Sequence, residues 1–136
     1  MDAQGLSDAE MLAIAAELGY SESAFLFPTG ERQYRVRYFS PLAEVAFCGH
    51  ATIATSVALG ERIGQGTVHL ATQAGPVPVE IVAGPAGDIT AVLTSPPAST
   101  RPAHQGVDMG RPSLLTCAAI PGDTRVKVSG TAVPIP

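Results

Sequence analysis

The chain has little positive charge, no long apolar run and few cysteines. Lysine and arginine together number 8 among 136 residues, and the formal net charge is -4. This composition excludes the basic surface by which proteins hold nucleic acid. Glycine, proline or charge interrupts every apolar run well before the roughly 20 residues of a membrane helix, and the N-terminus has no basic segment followed by an apolar one. We therefore expect a cytoplasmic protein with neither a nucleic-acid nor a membrane partner.

The two cysteines, Cys48 and Cys117, could form one disulfide at most. Nothing else in the chain is typical of a small secreted scaffold, so we expect reduced thiols. Two of the histidines, His69 and His104, lie in a strand pattern and in a Pro- and Gly-rich segment, without the spacing of metal ligands. The sequence thus predicts no metal site.

The chain does contain enough apolar sequence for a core. Apolar residues make up 46% and charged residues 15%, and a domain of this size buries roughly two thirds of its unfolded surface.

The first clear element is a helix, because Ser7 and Glu10 form a capping box and Gly19 ends the pattern. Between them apolar residues recur with helical spacing: Met11, Ile14, Ala15 and Leu18.

Most of the remaining chain has the pattern of strands. Ala24 to Phe27 predicts a short buried strand, residues 28–30 a turn, and Tyr34 to Phe39 an alternating strand with Arg35 and Arg37 on one face. Ala51 to Leu59 has no charge and little bulk, so a helix there must be enclosed. Five further strands are predicted at residues 67–71, 77–82, 89–94, 113–120 and 125–128. The fold class is therefore α+β, a curved and mostly antiparallel sheet around one central helix.

The segment that enters this central helix predicts an anion site. An extended stretch from Phe39 runs through Cys48, Gly49 and His50 into the small-residue helix. The first amides of a helix have no partner within it and can point at a bound carboxylate or phosphate. A carboxylate, Glu22, follows the stop of the first helix and is a candidate acid or base for chemistry at that site.

Four ordered blocks resemble the PhzF-like family of phenazine biosynthesis, relatives of diaminopimelate epimerase. They are Ser21-Glu22-x-Ala24-Phe25, Arg37-x-Phe39-x-Pro41-x-x-Glu44, Cys48-Gly49-His50-Ala51-Thr52 and Thr72-x-Ala74-Gly75-x-x-Pro78-Val79. The resemblance implies two similar halves, each a sheet wrapped around a helix, with the active site between them. Here it covers only part of that plan, since the middle of the second half has no counterpart.

The resemblance also implies a domain plan. Residues 1–97 correspond to the first half, residues 98–112 to a linker or long loop, and residues 113–136 to C-terminal strands that complete the same domain. A second copy of the chain is expected to supply the absent wall, because a two-fold homodimer would set two Cys48-Gly49-His50 segments face to face.

The family likeness implies roles for individual residues. Glu22 corresponds to the catalytic carboxylate, which serves first as base and then as acid, and His50 to a residue that hydrogen-bonds the substrate or shuttles a proton. Gly49, Ala51 and Cys48 are expected to line the substrate site, with Cys48 as a buried thiol rather than a proton carrier. Glu44, in contrast, is expected to pair with an arginine such as Arg37.

The expected function is a cofactor-independent isomerase of specialised metabolism that moves a proton on a small carboxylate-bearing substrate. Two alternatives stay open on the sequence. The shortened chain could be a non-catalytic module that binds a small acid or a larger enzyme. The same pocket could also serve a hydrolase, lyase or cyclase, since fold does not fix chemistry.

Overall fold

The computed structural model describes residues 3–96, 116–122 and 125–132. The predicted linker at residues 98–112, His104 and the first residues of the strand predicted at 113–120 lie outside these ranges. The division of the chain into a first-half domain, a linker and completing strands therefore stays a prediction.

The chain forms two helices and eight strands over the described residues. The helices are α1, Asp8–Leu18, and α2, Gly49–Ile63. The strands are β1, Ser23–Gly30; β2, Gln33–Phe39; β3, Glu44–Val45; β4, Gly66–Thr72; β5, Gly75–Ala83; β6, Ile89–Thr94; β7, Thr116–Ala119; and β8, Val126–Gly130. Neither helix found there combines the length and apolar character needed to cross a membrane.

Helix α1 begins and ends where its capping residues predict. The Glu10 N–H donates to Ser7 Oγ, and the Glu10 carboxylate accepts from the Ser7 N–H at 2.8 Å. Gly19 ends the helix in the left-handed region at φ 66°, which glycine adopts without strain. The buried stripe is shorter than predicted, since Met11 and Ala15 are buried whereas Leu18 is 46% exposed.

One sheet holds all eight strands, in the order β1-β2-β4-β5-β6-β8-β7 with β3 on β2. Only β2 and β4 run parallel, and every other neighbouring pair is antiparallel. Helix α2 packs on one face of this sheet, so the predicted α+β architecture is confirmed. The helix is longer than the predicted Ala51 to Leu59, because it starts at Gly49 and continues through the polar turn that precedes Gly64.

The turn predicted at residues 28–30 is wrong. Strand β1 continues through Pro28, which pairs with Tyr34, to Gly30, and the chain reverses at Glu31 and Arg32. Proline is compatible with a strand at the end of a sheet, where its missing N–H breaks no ladder. Because β1 occupies that end position, Pro28 does not stop the strand.

The side chains of β1 and β2 alternate between two cores. Tyr34, Val36 and Tyr38 share one face of β2 and lie in the main core with α2 and with apolar residues of β4, β5 and β6. A smaller core on the other face packs Phe25 and Phe39 against α1, with their rings edge to face at 5.5 Å. Two layers therefore hold the β1-β2 hairpin, which positions the segment before β1 beside the start of α2.

Candidate active site

The start of α2 is fixed by a buried hydrogen-bond chain. Cys48 caps the helix with extended backbone and without a side-chain capping bond. Thr52 Oγ1 donates to the Cys48 carbonyl at 2.7 Å, and the Tyr38 hydroxyl lies 2.6 Å from Thr52 Oγ1, to which it donates. Burial raises the pKa of Tyr38 to about 12, so this donor keeps its proton. The chain ties the helix start to β2.

The first amides of α2 are available for an anion. The first intrahelical bond runs from the Thr52 N–H to the Cys48 carbonyl at 3.0 Å, so the N–H groups of Gly49, His50 and Ala51 precede the helical ladder. A Cβ placed on Gly49 would meet only the Phe47 ring, at 4.0 Å. The protein itself therefore leaves open space beside Gly49, which a bound carboxylate could occupy.

Glu22 reaches the same place from the segment before β1. Its Oε2 lies 3.4 Å from His50 Nε2, and Ser21 Oγ lies 3.3 Å from the same nitrogen. The side chains of Glu22 and His50 are 21% and 25% exposed, so both are shielded by the protein yet accessible from one side. The fold thus brings the two predicted catalytic residues together, although they come from separate segments.

Cys48 completes the group as a buried thiol. Its Sγ lies 3.2 Å from His50 Nδ1, and the residue is 6% exposed. Burial raises the pKa of Cys48 to about 12, and the negative charge of Glu22 adds to the rise, while the N–H groups of Ala51 and His50 oppose it. The thiol is therefore protonated at neutral pH and is a poor base.

A groove of about 800 Å³ opens beside Glu22. One wall is formed by β1 and the other by the small residues of α2, which include Ala51 and Ala54. Glu22 lies beside Ala51 in the first turn of α2, whereas Arg62 lines the groove in the last turn of the helix. The groove therefore has an acidic side chain, Glu22, at one end and a basic side chain, Arg62, at the other, with mostly apolar residues between them.

The sequence interpretation missed two residues of this site. Ser21 opens the first of the four blocks of the resemblance, but the sequence assigns it no role, because its contact with His50 depends on how the two segments pack. Arg62 ends a helix that was predicted to stop at Leu59, so its position along the groove had no signal in the pattern. Helical rise of about 1.5 Å per residue places it roughly 16 Å from Ala51.

Other predicted candidates lie away from the site. Glu44 binds Arg37 through both carboxylate oxygens, at 2.7 and 2.6 Å, which confirms the expected ion pair. Arg37 also holds Asp8 of α1 at 2.7 Å. His69 is exposed on β4, and the side chain of Cys117 is not among those that the structure describes.

Sequence comparison places these residues in a known family. The family described as phenazine biosynthesis-like protein matches residues 1–104. The uncharacterized isomerase YddE of Escherichia coli is 47% identical over 64 residues, which cover 47% of this chain and 22% of that protein. The trans-2,3-dihydro-3-hydroxyanthranilate isomerase of Pseudomonas fluorescens is 36% identical over 81 residues, which cover 59% of this chain and 29% of that protein.

Solved structures give the same result. The phenazine biosynthesis protein of the PhzF family from Bacillus anthracis aligns with a TM-score of 0.63 and 33% identity, over 68% of this chain and 32% of that protein. The PhzF-family protein of Enterococcus faecalis aligns with a TM-score of 0.61 and 28% identity, over 83% of this chain and 43% of that protein. In each comparison the chain spans less than half of its relative's length. By sequence, fold and motif, this chain belongs to the phenazine biosynthesis-like family of PhzF proteins.

Proposed function

We propose that the protein is an isomerase that moves a proton on a small carboxylate-bearing substrate, with Glu22 as the acid and base. The observation that carries the proposal is the position of Glu22 Oε2, 3.4 Å from His50 Nε2 and beside the open start of α2. The isomerase names of the relatives support the same reaction class.

The positions of the helix amides, Glu22, His50 and Cys48 suggest a separate role for each in the reaction. The amides of Gly49 and His50 hold the substrate carboxylate, which fixes the adjacent carbon next to Glu22. The Glu22 carboxylate takes a proton from that carbon and returns it at the new position, while His50 hydrogen-bonds the charge that develops on the substrate. Cys48 stays a neutral thiol because burial opposes its ionisation.

Deuterium incorporation tests the role of Glu22. A set of small hydroxy and amino acids, including dihydro-hydroxyanthranilate-type acids, is incubated in deuterium oxide with wild type, Glu22→Gln and Glu44→Gln. Since a positioned acid-base group contributes about 10²- to 10⁴-fold to rate, Glu22→Gln should lose label incorporation by that factor. Glu44→Gln is the matched control, since Glu44 pairs with Arg37 outside the site. Equal incorporation by wild type and Glu22→Gln would rule out Glu22 as the proton carrier.

We also propose that a second copy of the chain closes the site. The side chains of Glu22 and His50 are 21% and 25% exposed, so one side of the site is accessible. A two-fold dimer would cover the open side of both sites. Light scattering after gel filtration should give twice the chain mass, and a monomer at the concentrations used for catalysis would contradict this arrangement.

A second candidate function is binding without turnover. The open space beside Gly49 can hold a carboxylate whether or not Glu22 moves a proton, which is the observation that favours this function. Calorimetric binding of a small carboxylic acid, unchanged in Glu22→Gln and accompanied by no label incorporation with any acid tested, would favour this function over isomerisation.

A further inference from the structure

The groove beside Glu22 extends along α2 well beyond the start of the helix. Ala51, Thr55, Ala58 and Arg62 all line it. They recur at intervals of three or four residues, so they form one stripe along the helix. Ala51 and Arg62 lie roughly 16 Å apart at about 1.5 Å per residue. A small acid at the first amides of α2 would fill only one end of this length.

The middle of the groove is apolar and open. Ala24, Leu26 and Pro28 line one wall, and Ala54 and Ala58 line the other. Both alanines are exposed, so a hydrocarbon chain that lay between the walls would remove apolar surface of the protein and of the ligand from water. Each methylene group buried there raises the affinity by up to about fourfold.

Two hydrogen-bond donors line the far end of the groove, the guanidinium of Arg62 and the hydroxyl of Tyr34. The turn between β1 and β2 is held at this end of α2, because the Arg32 guanidinium donates to the carbonyls of Ile63 and Gly64 at 3.1 and 3.2 Å. Tyr34 is the second residue of β2 after that turn. Over the described ranges, neither Arg62 nor Tyr34 has a side-chain hydrogen bond or an ion pair. Both donors are therefore available to a ligand.

We propose that Arg62 and Tyr34 bind a second acidic group, so that the groove takes an elongated acid with a carboxylate at each end and an apolar middle. Charge complementarity supports this ligand. Arg62 is the one positively charged side chain among the described residues that line the groove, and it lies at the end opposite Glu22. A guanidinium and a phenol both donate to a carboxylate, whereas a basic tail would be repelled and an apolar tail would leave them unpaired.

This ligand names the substrate class of the proposed isomerase. The proposal rests on that function for the position of the first carboxylate, at the amides of Gly49 and His50, which sets the adjacent carbon beside Glu22. Arg62 acts at the other end, on a part of the substrate that does not react. It is therefore expected to determine specificity rather than to take part in the proton transfer.

Calorimetric binding of two series of acids tests the proposal. One series contains straight-chain diacids from succinic to dodecanedioic acid, and the other contains the monoacids of equal length. A short diacid should bind more weakly than its monoacid, because its second carboxylate lies in the apolar middle of the groove. A diacid long enough to reach Arg62 should bind about two- to fivefold more tightly than its monoacid, which is the range that an exposed ion pair supplies.

Variants assign this advantage of the long diacids to the far end of the groove. Arg62→Gln should abolish it, and Tyr34→Phe should reduce it. Arg35→Gln is the matched control, because Arg35 lies on the opposite face of β2, where its guanidinium stands 4.5 Å from the centre of the Phe27 ring. This control should keep the full advantage.

Three results would overturn the proposal. They are a long diacid that binds no better than its monoacid, an advantage that persists in Arg62→Gln, and an equal loss in Arg35→Gln. Affinity that does not rise with length in either series would also overturn it, since the middle of the groove would then be covered, for example by a second copy of the chain.

Deuterium incorporation keeps this proposal separate from the isomerase function. An advantage of long diacids that depends on Arg62, with no label incorporated from any acid, would support the ligand class and contradict the isomerase. Label incorporation that depends on Glu22, with no such advantage, would support the isomerase and overturn the ligand class.

Discussion

Gly60 sets the distance between the central helix and the sheet, and its replacement gives a sharp test of the packing. A Cβ on Gly60 would lie 2.6 Å from Ile81 Cγ2 on β5 and 2.9 Å from Ile89 Cγ2 on β6. Both methyl groups belong to β-branched side chains with few alternative rotamers. The helix or the sheet must therefore move to admit alanine at this position.

The expected cost follows from two opposing terms. Overpacking a core by a methyl group costs typically 1–3 kcal/mol. Alanine is preferred over glycine within a helix by roughly 1 kcal/mol. Gly49→Ala serves as the control, because it also replaces a glycine of α2 but its Cβ would meet only one atom, at 4.0 Å. Gly60→Ala should therefore unfold with a free energy about 1–3 kcal/mol lower than Gly49→Ala.

Urea unfolding at neutral pH measures both variants against wild type. The Ile81→Ala background removes the nearest methyl group, so the cost of Gly60→Ala should fall there, with a coupling energy of about 0.5–3 kcal/mol. Part of the cost of Gly60→Ala should remain in this background, because the Ile89 methyl group still lies 2.9 Å from the new Cβ. Equal stability of Gly60→Ala and Gly49→Ala, with no coupling to Ile81, would refute the close approach of α2 to the sheet.

Three further changes test the site and its supports. Burial raises the pKa of Cys48 from its ordinary 9.0 to about 12, so in urea unfolding Cys48→Ala should lose less stability than wild type as pH rises from 9 to 12. The remaining loss comes in part from Tyr38, whose pKa burial also raises to about 12. The hydrogen bond to Arg37 lowers the pKa of Asp8 below its ordinary 3.8, so the pair stabilises the fold above pH 3.8 and ceases to do so as the pH falls further. The urea midpoints of wild type and Asp8→Asn should therefore differ at pH 7 and converge in acid. Gly49→Ala should keep its fold but bind small carboxylic acids at least about tenfold more weakly by calorimetry, since its methyl group would enter the space beside the first amides of α2.

Capping residues and the pattern of small and apolar residues predicted the two helices, because these signals depend only on neighbouring residues in the sequence. The capping residues Ser7, Glu10 and Gly19 fix α1 at both ends. The run of small uncharged residues after His50 identifies α2, but the expectation that this helix is enclosed on every side is wrong, because Ala54 and Ala58 are exposed along the groove. The rules were wrong at Pro28, because whether proline ends a strand depends on which strands lie beside it. The two-residue strand β3 carries too short a pattern to be recognised, although it pairs with β2.

The site itself could be predicted only in part. The open amides at Gly49 follow from a strand that runs through glycine into a helix. The placement of Glu22 beside His50 could be expected only from the family resemblance, since nothing in the spacing brings the two segments together. The contacts of Cys48 and Ser21 with His50 depend on side-chain directions at a helix start and a strand start, which no sequence pattern specifies.

A crystal structure of the protein with a bound substrate or unreactive analogue tests the central claim most directly. The account predicts that the ligand carboxylate lies within hydrogen-bond distance of the N–H groups of Gly49 and His50, and that the exchanging carbon faces Glu22 Oε2. A ligand bound elsewhere in the groove, or a carbon that faces away from Glu22 while the carboxylate contacts other groups, would contradict it.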